Sequence, residues 1–240
     1  MTNAITFDFH DTLASCDHWF RIEVRDLVPE VLGWYDRRND TRLAERYASD
    51  AYSEYRQLRR SVIAAGDEID AVRCTQLVLE RLGLAFEDDV LEEAVDAVMQ
   101  SALADVSPVP GAIDALREIA EAGVPIGIVS SAVHHRFLEW TLAEFGIRDL
   151  VQSVVTSASC GFYKSRTEIY THSVDVLGVS PDRCVHIGDS YEFDVRTAGR
   201  AGLKTIWYRT QPSVDPGDDA DLIVDTLVGV APRALALLGS

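Results

Sequence analysis

The chain has 240 residues and 47% of them are hydrophobic, which is enough to bury a sizeable core in one large domain or two smaller ones. Its formal net charge of -17 at pH 7 disfavours nucleic acids and anionic membranes as main partners, because both would repel it. A substrate that is itself an anion must therefore be attracted locally, by a metal ion, helix N-termini or a few cations.

The cysteine spacing and the apolar segments bear on location. No stretch approaches the ~20 apolar residues of a membrane-spanning helix, and the first residues, MTNAITFDFHD, lack the basic segment of a secretion signal. The four cysteines form no Cys-x-x-Cys pair, which favours reduced thiols over disulfides or a zinc site. We expect a cytoplasmic protein, and the sequence leaves its oligomeric state open, homo-oligomers included.

The first predicted element is a strand over Ala4–Phe9. It is apolar on both faces, as a central strand of a parallel sheet must be. The stretch ITFDFHDTL places two carboxylates, an imidazole and a hydroxyl around the end of this strand, namely Asp8, Asp11, His10 and Thr12.

The region 14–106 mixes charged and apolar residues at helical spacing and contains no convincing strand. It predicts a helical bundle inserted after the first strand, with the segment SPVPG at 107–111 as a hinge. Tyr52, Tyr55, Arg56 and Arg59 share one helix face, which fits either an amphipathic packing face or a substrate-facing stripe. The candidates for binding the non-reacting end of an anionic substrate are Arg21, Arg25, Arg56, Arg59 and Arg60.

From Gly111 onward, short runs rich in Val and Ile alternate with stretches of helical period, which is typical of parallel strands joined by crossover helices. The predicted strands are Val124–Ser130, Leu150–Thr156, Arg183–Gly188, Lys204–Tyr208 and Leu222–Val224. Helices are predicted to begin near Ala112, Val133, Thr167, Tyr191 and Thr226. The fold class is therefore α/β, a Rossmann-like parallel sheet core of residues 1–13 plus 107–240, with an inserted helical domain of residues 14–106.

Ligands of open parallel sheets bind at the carboxyl ends of the strands. Polar residues follow the predicted strands at these ends: Ser130, Ser131, Lys164, Asp189 and Asp194. Together with the residues around the first strand, they are expected to meet at one edge of the sheet. His186 lies inside a strand and is expected to be a packed core residue.

Four ordered segments carry a resemblance to the haloacid dehalogenase (HAD) superfamily. DFHDTL resembles its first motif, IGIVSS its second, YKSRTEIY the surroundings of its third, and GDSYEFD followed by AGRAG its fourth. The resemblance spans Asp8 to Gly202 and implies a HAD-like core, with the bundle at 14–106 as the family's helical cap between the first and second motifs.

The resemblance implies a phosphatase that uses Asp8 as a nucleophile and forms an aspartyl-phosphate, which splits a difficult hydrolysis into two displacements. Because nucleophile and substrate are both negative, a counter-ion is needed, and Mg²⁺ suits a site of carboxylates, a carbonyl and waters. Asp8, the backbone carbonyl of His10 and Asp189 would hold it. Asp194 would be a further ligand, or an acceptor that orients a metal-bound water or Lys164.

The phosphoryl oxygens are expected to contact Thr12, Ser130, Ser131 and backbone amides. Lys164 would also bind them and neutralise the charge that develops during transfer. Only two of the 22 basic residues are lysines, so a lysine at this position indicates a need for a compact point charge.

His10 departs from the family pattern, which has an acid/base aspartate two residues after the nucleophile. Asp11 likewise stands where the family usually has glycine. His10 can take the acid/base role, since an unperturbed imidazole has a pKa of about 6.5. Alternatively Asp11 replaces it, or the enzyme is restricted to good leaving groups or is inactive.

Two further enzyme classes and one non-enzymatic function compete with a phosphatase acting on a small phosphorylated molecule. A 2-haloacid dehalogenase would use Asp8 on carbon without a metal; the residue at position 10 favours it, whereas Asp189 and Asp194 argue against it. A phosphonate hydrolase would need a cap lysine, and residues 14–106 contain none. A binding or regulatory protein would keep the fold but have lost turnover through His10.

Overall fold

The computed structural model describes residues 3–210 and 219–239 of the chain. Eight strands lie in this part, in chain order β1 (Ala4–Phe7), β2 (Ala14–Ser15), β3 (Ser107–Pro108), β4 (Ile126–Ser130), β5 (Ser153–Thr156), β6 (Cys184–Gly188), β7 (Lys204–Tyr208) and β8 (Leu222–Val224). Six of them form one parallel sheet in the order β5-β4-β1-β6-β7-β8. The predicted α/β class with a parallel sheet is confirmed.

Helices form the inserted bundle and cover the sheet. The bundle contains α1 (Asp17–Arg21), α2 (Leu27–Asn39), α3 (Leu43–Ala65), α4 (Ala71–Arg81) and α5 (Asp88–Ser101), with a π-helix over Ile22–Asp26 between α1 and α2. The core contains α6 (Ala112–Glu121), α7 (His135–Glu144), α8 (Ser157–Cys160), α9 (Glu168–Leu177), α10 (Ala198–Arg200) and α11 (Val230–Leu238), with a second π-helix over Tyr191–Thr197 before α10.

Strand β1 occupies the middle of the sheet, as its apolar sequence predicts. Ile5 is paired with Ile126 on one side and with Val185 on the other. All four residues of β1 are buried, because helices cover both faces of the sheet. This central position brings the residues that follow β1 between the ends of β4 and β6.

Strands β7 and β8 have the predicted bounds, and β4 and β6 begin within two residues of the predicted positions. The prediction of β1 was too long, because the Phe9 carbonyl already accepts hydrogen bonds from the N–H groups of Leu13 and Ala14 at 2.8 and 2.9 Å. The prediction of β5 was also too long, since Arg148–Leu150 forms a 3₁₀ turn before it.

The prediction that no strand lies between the first strand and the hinge was wrong. β2 and β3 pair antiparallel, with Ala14 opposite Pro108 and Ser15 opposite Ser107. Each strand has only two residues, which is too short to produce a recognisable alternation. The chain therefore leaves the core and returns to it through one narrow ribbon. The positions 13/14 and 106/107 of the domain boundaries stay a prediction.

The bundle is held by an amphipathic face of α3. Its buried residues Ala51, Tyr55, Leu58, Arg59 and Val62 recur at helical spacing. The Tyr55 hydroxyl donates to the Glu23 carbonyl at 2.7 Å. Of the two readings of this face, the structure supports the packing role for Tyr55.

The loop between α3 and α4, residues 66–70, will be called the cap loop, and it hydrogen-bonds directly to the core. The Glu68 N–H donates to the Gly161 carbonyl at 2.8 Å, and the Tyr163 N–H donates to the Gly66 carbonyl at 2.9 Å. Asp67 forms an isolated antiparallel bridge with Phe162. The bundle thus contacts the core at the ribbon and again beside Lys164. Among the helices of the described residues, none combines the length and the hydropathy needed to cross a bilayer.

Candidate active site

The loop after β1 places Asp8 at the carboxyl edge of the sheet. The Asp8 N–H still donates to the Ile187 carbonyl at 2.8 Å, so the backbone of this residue is fixed by β6. The side chain of Asp8 is almost fully buried. Asp11 has a φ of 58°, a left-handed conformation that glycine adopts freely and aspartate tolerates better than most residues. The turn can therefore form although the family's glycine is replaced.

Lys164 connects the acidic residues that follow β1 and β6. Its Nζ donates to Asp8 Oδ1 at 2.5 Å and to Asp194 Oδ1 at 2.6 Å. The backbone N–H of Lys164 donates to Ser131 Oγ at 3.1 Å, which fixes the backbone that carries the ammonium group. Lys164 is 3% exposed, so this is a buried charge with two carboxylate partners rather than a surface lysine.

Asp194 accepts hydrogen bonds from several protein donors, most of them at Oδ1. Besides Lys164, it accepts from His186 Nε2 at 3.0 Å, from the Tyr170 hydroxyl at 3.3 Å and from the Ser190 N–H at 3.0 Å. A carboxylate only accepts, so His186 carries its proton on Nε2, while its Nδ1 lies 2.9 Å from the Thr6 hydroxyl. The prediction that His186 is packed in the core is confirmed, and its contact with Asp194 is additional.

The charges of this cluster shift one another's pKa. Burial raises the pKa of Asp8 to about 6, although Lys164 opposes the shift. Burial and the neighbouring charges of Asp8 and Asp194 raise the pKa of Asp189. Burial would also raise the pKa of Asp194, but Lys164 and His186 hold it below its usual range. The acidic cluster is therefore short of positive charge despite the buried lysine.

Oxygen atoms of Asp8, Asp189 and Asp194 all lie within 4.8 Å of one another. Such a set of carboxylates fits a hard divalent cation, and the raised pKa values of two members indicate negative charge that such a cation would offset. Both oxygens of Asp194 already accept hydrogen bonds from the protein. Asp8 and Asp189 thus have more free acceptor sites than Asp194, whose Oδ1 contacts Lys164; the role of Asp194 as a further ligand or as the acceptor that orients Lys164 stays a prediction.

The predicted phosphate-binding hydroxyls fall into two groups. Ser130 and Ser131 line a cavity of about 280 Å³ together with Asp8, Lys164 and Asp189. Thr12 is buried, is not among the residues lining this cavity, and donates to Asp189 Oδ1 at 3.5 Å. Thr12 is therefore placed to orient an acidic residue, and its expected contact with a phosphoryl group stays a prediction.

His10 lies in the same cavity and stacks on Phe20, with ring centroids 4.6 Å apart. Its Nδ1 is 3.5 Å from Asp11 Oδ2, and its Nε2 is buried without a hydrogen-bond partner among the described residues. Burial lowers the pKa of His10 from its usual value, against the opposing effect of Asp11. The imidazole is therefore mainly neutral at pH 7 and able to accept a proton.

The bundle supplies the other wall of the cavity. Its contribution consists of Trp19, Phe20, Glu23, Val24, Arg59 and Ile63. A site between the two parts of the chain can exclude bulk water from the acidic cluster. Aromatic and aliphatic side chains dominate this wall, which suits the carbon skeleton of a small organic molecule.

The sequence did not predict two buried acidic residues of the bundle, Glu23 and Glu68. The Arg59 guanidinium binds Glu68 through two contacts of 2.5 and 3.0 Å, and the Ser157 hydroxyl donates to Glu68 at 2.9 Å. Glu23 accepts from the Val133 N–H at 2.8 Å, and burial raises its pKa to about 8. A glutamate in a mixed helical stretch gives no signal that it will be buried.

Both Glu23 and Asp194 lie on π-helices. A π-helix inserts an extra residue into a turn and thereby redirects side chains, which is why such turns recur at functional sites. The sequence does not predict them, since five to seven residues are too few to establish a helical period.

These features define an α/β protein with an inserted helical bundle over an acidic cluster that a buried lysine organises. A family model of haloacid dehalogenase-like hydrolases matches residues 2–202, and the chain belongs to this family. A glyceraldehyde 3-phosphate phosphatase of Methanopyrus kandleri is 28% identical over 225 residues, which cover 92% of this chain and 91% of the relative. A ribulose-1,5-bisphosphate 5-phosphatase of Halopiger xanaduensis is 30% identical over 126 residues, 52% of each protein.

Solved structures resemble the whole fold. A 2-haloacid dehalogenase of Pseudomonas syringae has a TM-score of 0.69 at 18% identity and covers 98% of this chain and 99% of its own. A HAD phosphatase of Thermococcus onnurineus has a TM-score of 0.64 at 19% identity, with 97% of both chains covered. These neighbours support the HAD-like core with an inserted cap. At such identities they do not distinguish a phosphatase from a dehalogenase.

Proposed function

We propose that the protein is a Mg²⁺-dependent phosphatase that hydrolyses a small phosphate ester through an aspartyl-phosphate on Asp8. The observation that carries the proposal is the position of the Lys164 ammonium group, 2.5 Å from Asp8 and 2.6 Å from Asp194. A cation in this position keeps the attacking carboxylate ionised and oriented, and it balances charge on a transferred phosphoryl group. The similarity to named phosphatases over most of the chain supports the same reaction class.

In the first step, an oxygen of Asp8 forms a bond to phosphorus while the bond to the ester oxygen breaks, and the leaving oxygen takes up a proton. In the second step, water attacks the aspartyl-phosphate, which releases inorganic phosphate and regenerates the carboxylate. Ser130 and Ser131 line the cavity beside Asp8 and supply hydroxyl donors to the phosphoryl oxygens. Asp194 holds Lys164 from the side away from the phosphoryl group, so the protein itself positions the ammonium group before a substrate binds.

Asp8, Asp189 and the backbone carbonyl of His10 would hold the magnesium ion. When bound, it supplies the positive charge that offsets repulsion between an anionic substrate and Asp8. Thr12 and Asp194 would act indirectly, since their contacts are to Asp189 and Lys164.

His10 is assigned the proton transfers. Its neutral imidazole can accept the proton of the attacking water, since the residue lines the cavity that also contains Asp8. A phosphate anion bound beside the ring favours the imidazolium form, which can protonate the leaving oxygen. Asp11, 3.5 Å from the ring, supports this form as well.

The relatives indicate a substrate among phosphorylated small metabolites. Two of them are named for glyceraldehyde 3-phosphate and ribulose-1,5-bisphosphate. A cavity of about 280 Å³ with aromatic and aliphatic cap residues is suited to molecules of this class.

The test of the activity uses p-nitrophenyl phosphate with MgCl₂ or with EDTA. Metal-dependent release of phosphate that is abolished in Asp8→Asn is expected. This variant keeps the size of the side chain, and an unchanged urea midpoint would show that it folds. Chloride release from 2-chloroacetate without phosphate release would instead indicate a dehalogenase. Magnesium binding without turnover of a panel of phosphorylated metabolites would indicate a binding protein.

The role of His10 is tested by the choice of leaving group. A nitrophenolate leaves without protonation, whereas an alkoxide requires it, so His10→Ala should lower kcat for alkyl phosphates more than for p-nitrophenyl phosphate. General acid catalysis contributes about 10²- to 10⁴-fold, which sets the expected loss for alkyl esters. The variant should also lose an ionisation from the pH profile of kcat. Equal rates of the wild type and the variant on both ester types would contradict the assignment.

A further inference from the structure

A second cavity, of about 270 Å³, lies in the cap beside the catalytic one. It is bounded by Val24, Arg25, Arg56, Arg59, Arg60 and Ile63. Three of these residues, Val24, Arg59 and Ile63, also line the catalytic cavity, so the two spaces adjoin. Four of the six side chains are arginines, in a chain whose net charge is -17. This space will be called the arginine pocket.

The arginine pocket has an excess of positive charge. Arg59 is neutralised by Glu68, and Arg25 Nε donates to Asp26 at 3.2 Å. Arg56 and Arg60 have no carboxylate within 4.0 Å among residues 3–210 and 219–239. Counting the four arginines against Glu68 and Asp26 leaves a charge of +2, which matches a phosphate dianion.

Arginines elsewhere on the surface are commonly paired, which makes the excess in this pocket informative. Arg38 contacts Glu93 at 2.8 Å and Arg81 contacts Glu54 at 3.1 Å. Arg56 and Arg60, by contrast, lie four residues apart on α3, a spacing at which like charges destabilise a helix. An anion between them would turn this repulsion into attraction.

Arg59 provides a second observation. This residue is 2% exposed and is part of the wall between the two cavities. Its Nε–H is buried and has no hydrogen-bond partner within the described ranges. Buried donors are normally satisfied, so an unpaired guanidinium donor in this wall indicates an acceptor that is supplied by a ligand.

We propose that the arginine pocket binds the second phosphate of a bisphosphorylated small molecule whose first phosphate is placed at Asp8. This inference rests on the proposed phosphatase function and narrows its substrate class. A guanidinium group can donate two parallel hydrogen bonds to phosphate oxygens, which makes four arginines around one pocket a specific receptor for this group. The side chains of Val24 and Ile63, shared by both cavities, contact the carbon chain between the two phosphates.

The test compares alkanediol bisphosphates of three to six carbons with the alkyl monophosphates of equal length. Wild-type kcat/KM should be about 10- to 100-fold higher for a bisphosphate of suitable length, mainly through KM. In Arg56→Gln/Arg60→Gln this preference should fall to near unity. Arg46→Gln is the matched control, because Arg46 is an exposed residue of the same helix outside both cavities, and it should retain the wild-type preference.

Equal kcat/KM for monophosphates and bisphosphates in the wild type would overturn the inference while leaving the phosphatase function intact. An equal gain from chains that end in a carboxylate would also overturn it, in favour of a carboxylate receptor. A third arm does not depend on turnover: calorimetry of Asp8→Asn with alkane bisphosphonates and with alkylphosphonates. Tighter binding of the bisphosphonate that is lost with Arg56 and Arg60 supports the pocket; equal dissociation constants refute it. Absence of hydrolysis of every ester would instead count against the phosphatase function.

Discussion

Replacing Gly188 by alanine tests whether the site depends on the fixed position of Asp194. A Cβ on Gly188 would overlap the carboxyl group and the Cβ of Asp194. Asp194 cannot move away from this Cβ without breaking hydrogen bonds, because it is fully buried. Its carboxylate accepts hydrogen bonds from Lys164, His186, Tyr170 and Ser190. The added methyl must therefore displace the acid or the backbone of β6.

The magnitude follows from the contacts that are lost. Overpacking a filled interior costs about 1–3 kcal/mol, and a hydrogen bond to a charged group contributes about 1.5–3 kcal/mol. Partial relaxation makes the overpacking cost and the loss of a hydrogen bond less than additive. We therefore expect Gly188→Ala to lower the free energy of unfolding by about 2–4 kcal/mol. Lys164 loses one of its two fixed partners, and a displacement of about 1 Å can reduce kcat about 100-fold.

Urea denaturation and hydrolysis of p-nitrophenyl phosphate measure the two effects separately. Gly199→Ala is the control, since a Cβ there meets no atom within 4 Å and the residue lies in α10. Alanine in a helix is favoured over glycine by up to about 1 kcal/mol, so this variant should be equally or more stable and fully active. Wild-type stability and rate in Gly188→Ala would refute the requirement for a fixed Asp194.

Two further changes concern the buried charges of the cap. Arg59→Met leaves Glu68 buried with only the Ser157 hydroxyl and a backbone N–H as donors, so it should lower the free energy of unfolding by about 3–5 kcal/mol. Adding Glu68→Gln to this variant should restore most of the lost stability. A loss under about 1 kcal/mol for Arg59→Met in urea denaturation would contradict this prediction. Glu23 has an ordinary pKa of 4.5 that burial raises to about 8, so between these values the folded chain keeps a proton that the unfolded chain releases. Stability should therefore fall as pH rises through this window, by up to about 1.4 kcal/mol per pH unit, and Glu23→Gln should flatten the slope; an identical slope in the variant would exclude Glu23 as its cause.

The residues that the sequence could locate are those that follow strands. Asp8, Ser130 and Asp189 come directly after or at the end of apolar runs, and parallel topology alone brings such positions to one edge. Lys164 follows β5 only after the short helix α8, and the scarcity of lysine helped to identify it. The fold class and the family followed from these same local patterns.

Pairings across the chain could not be derived in this way. The contact of Lys164 with Asp8 joins residues 156 positions apart, and Glu23 meets Val133 over 110 positions. The sequence makes Arg59 a candidate for substrate binding, but it does not predict that Glu68 binds two of its guanidinium nitrogens, as a buried guanidinium requires. Of the other cap arginines, Arg21 is exposed and lines neither of the two cavities. Local periodicity contains no information about which distant charged side chains will contact each other in the folded protein.

The contacts of the cap loop connect the position of the cap to the backbone that precedes the catalytic lysine. Tyr163, which hydrogen-bonds to Gly66, is the residue immediately before Lys164. Lifting the cap must detach the cap loop from residues 161–163 and break the bridge of Asp67 to Phe162 and its ion pair with Arg166. The backbone on both sides of Lys164 therefore has contacts from the cap in addition to those from the core, such as the hydrogen bond from the Lys164 backbone N–H to Ser131.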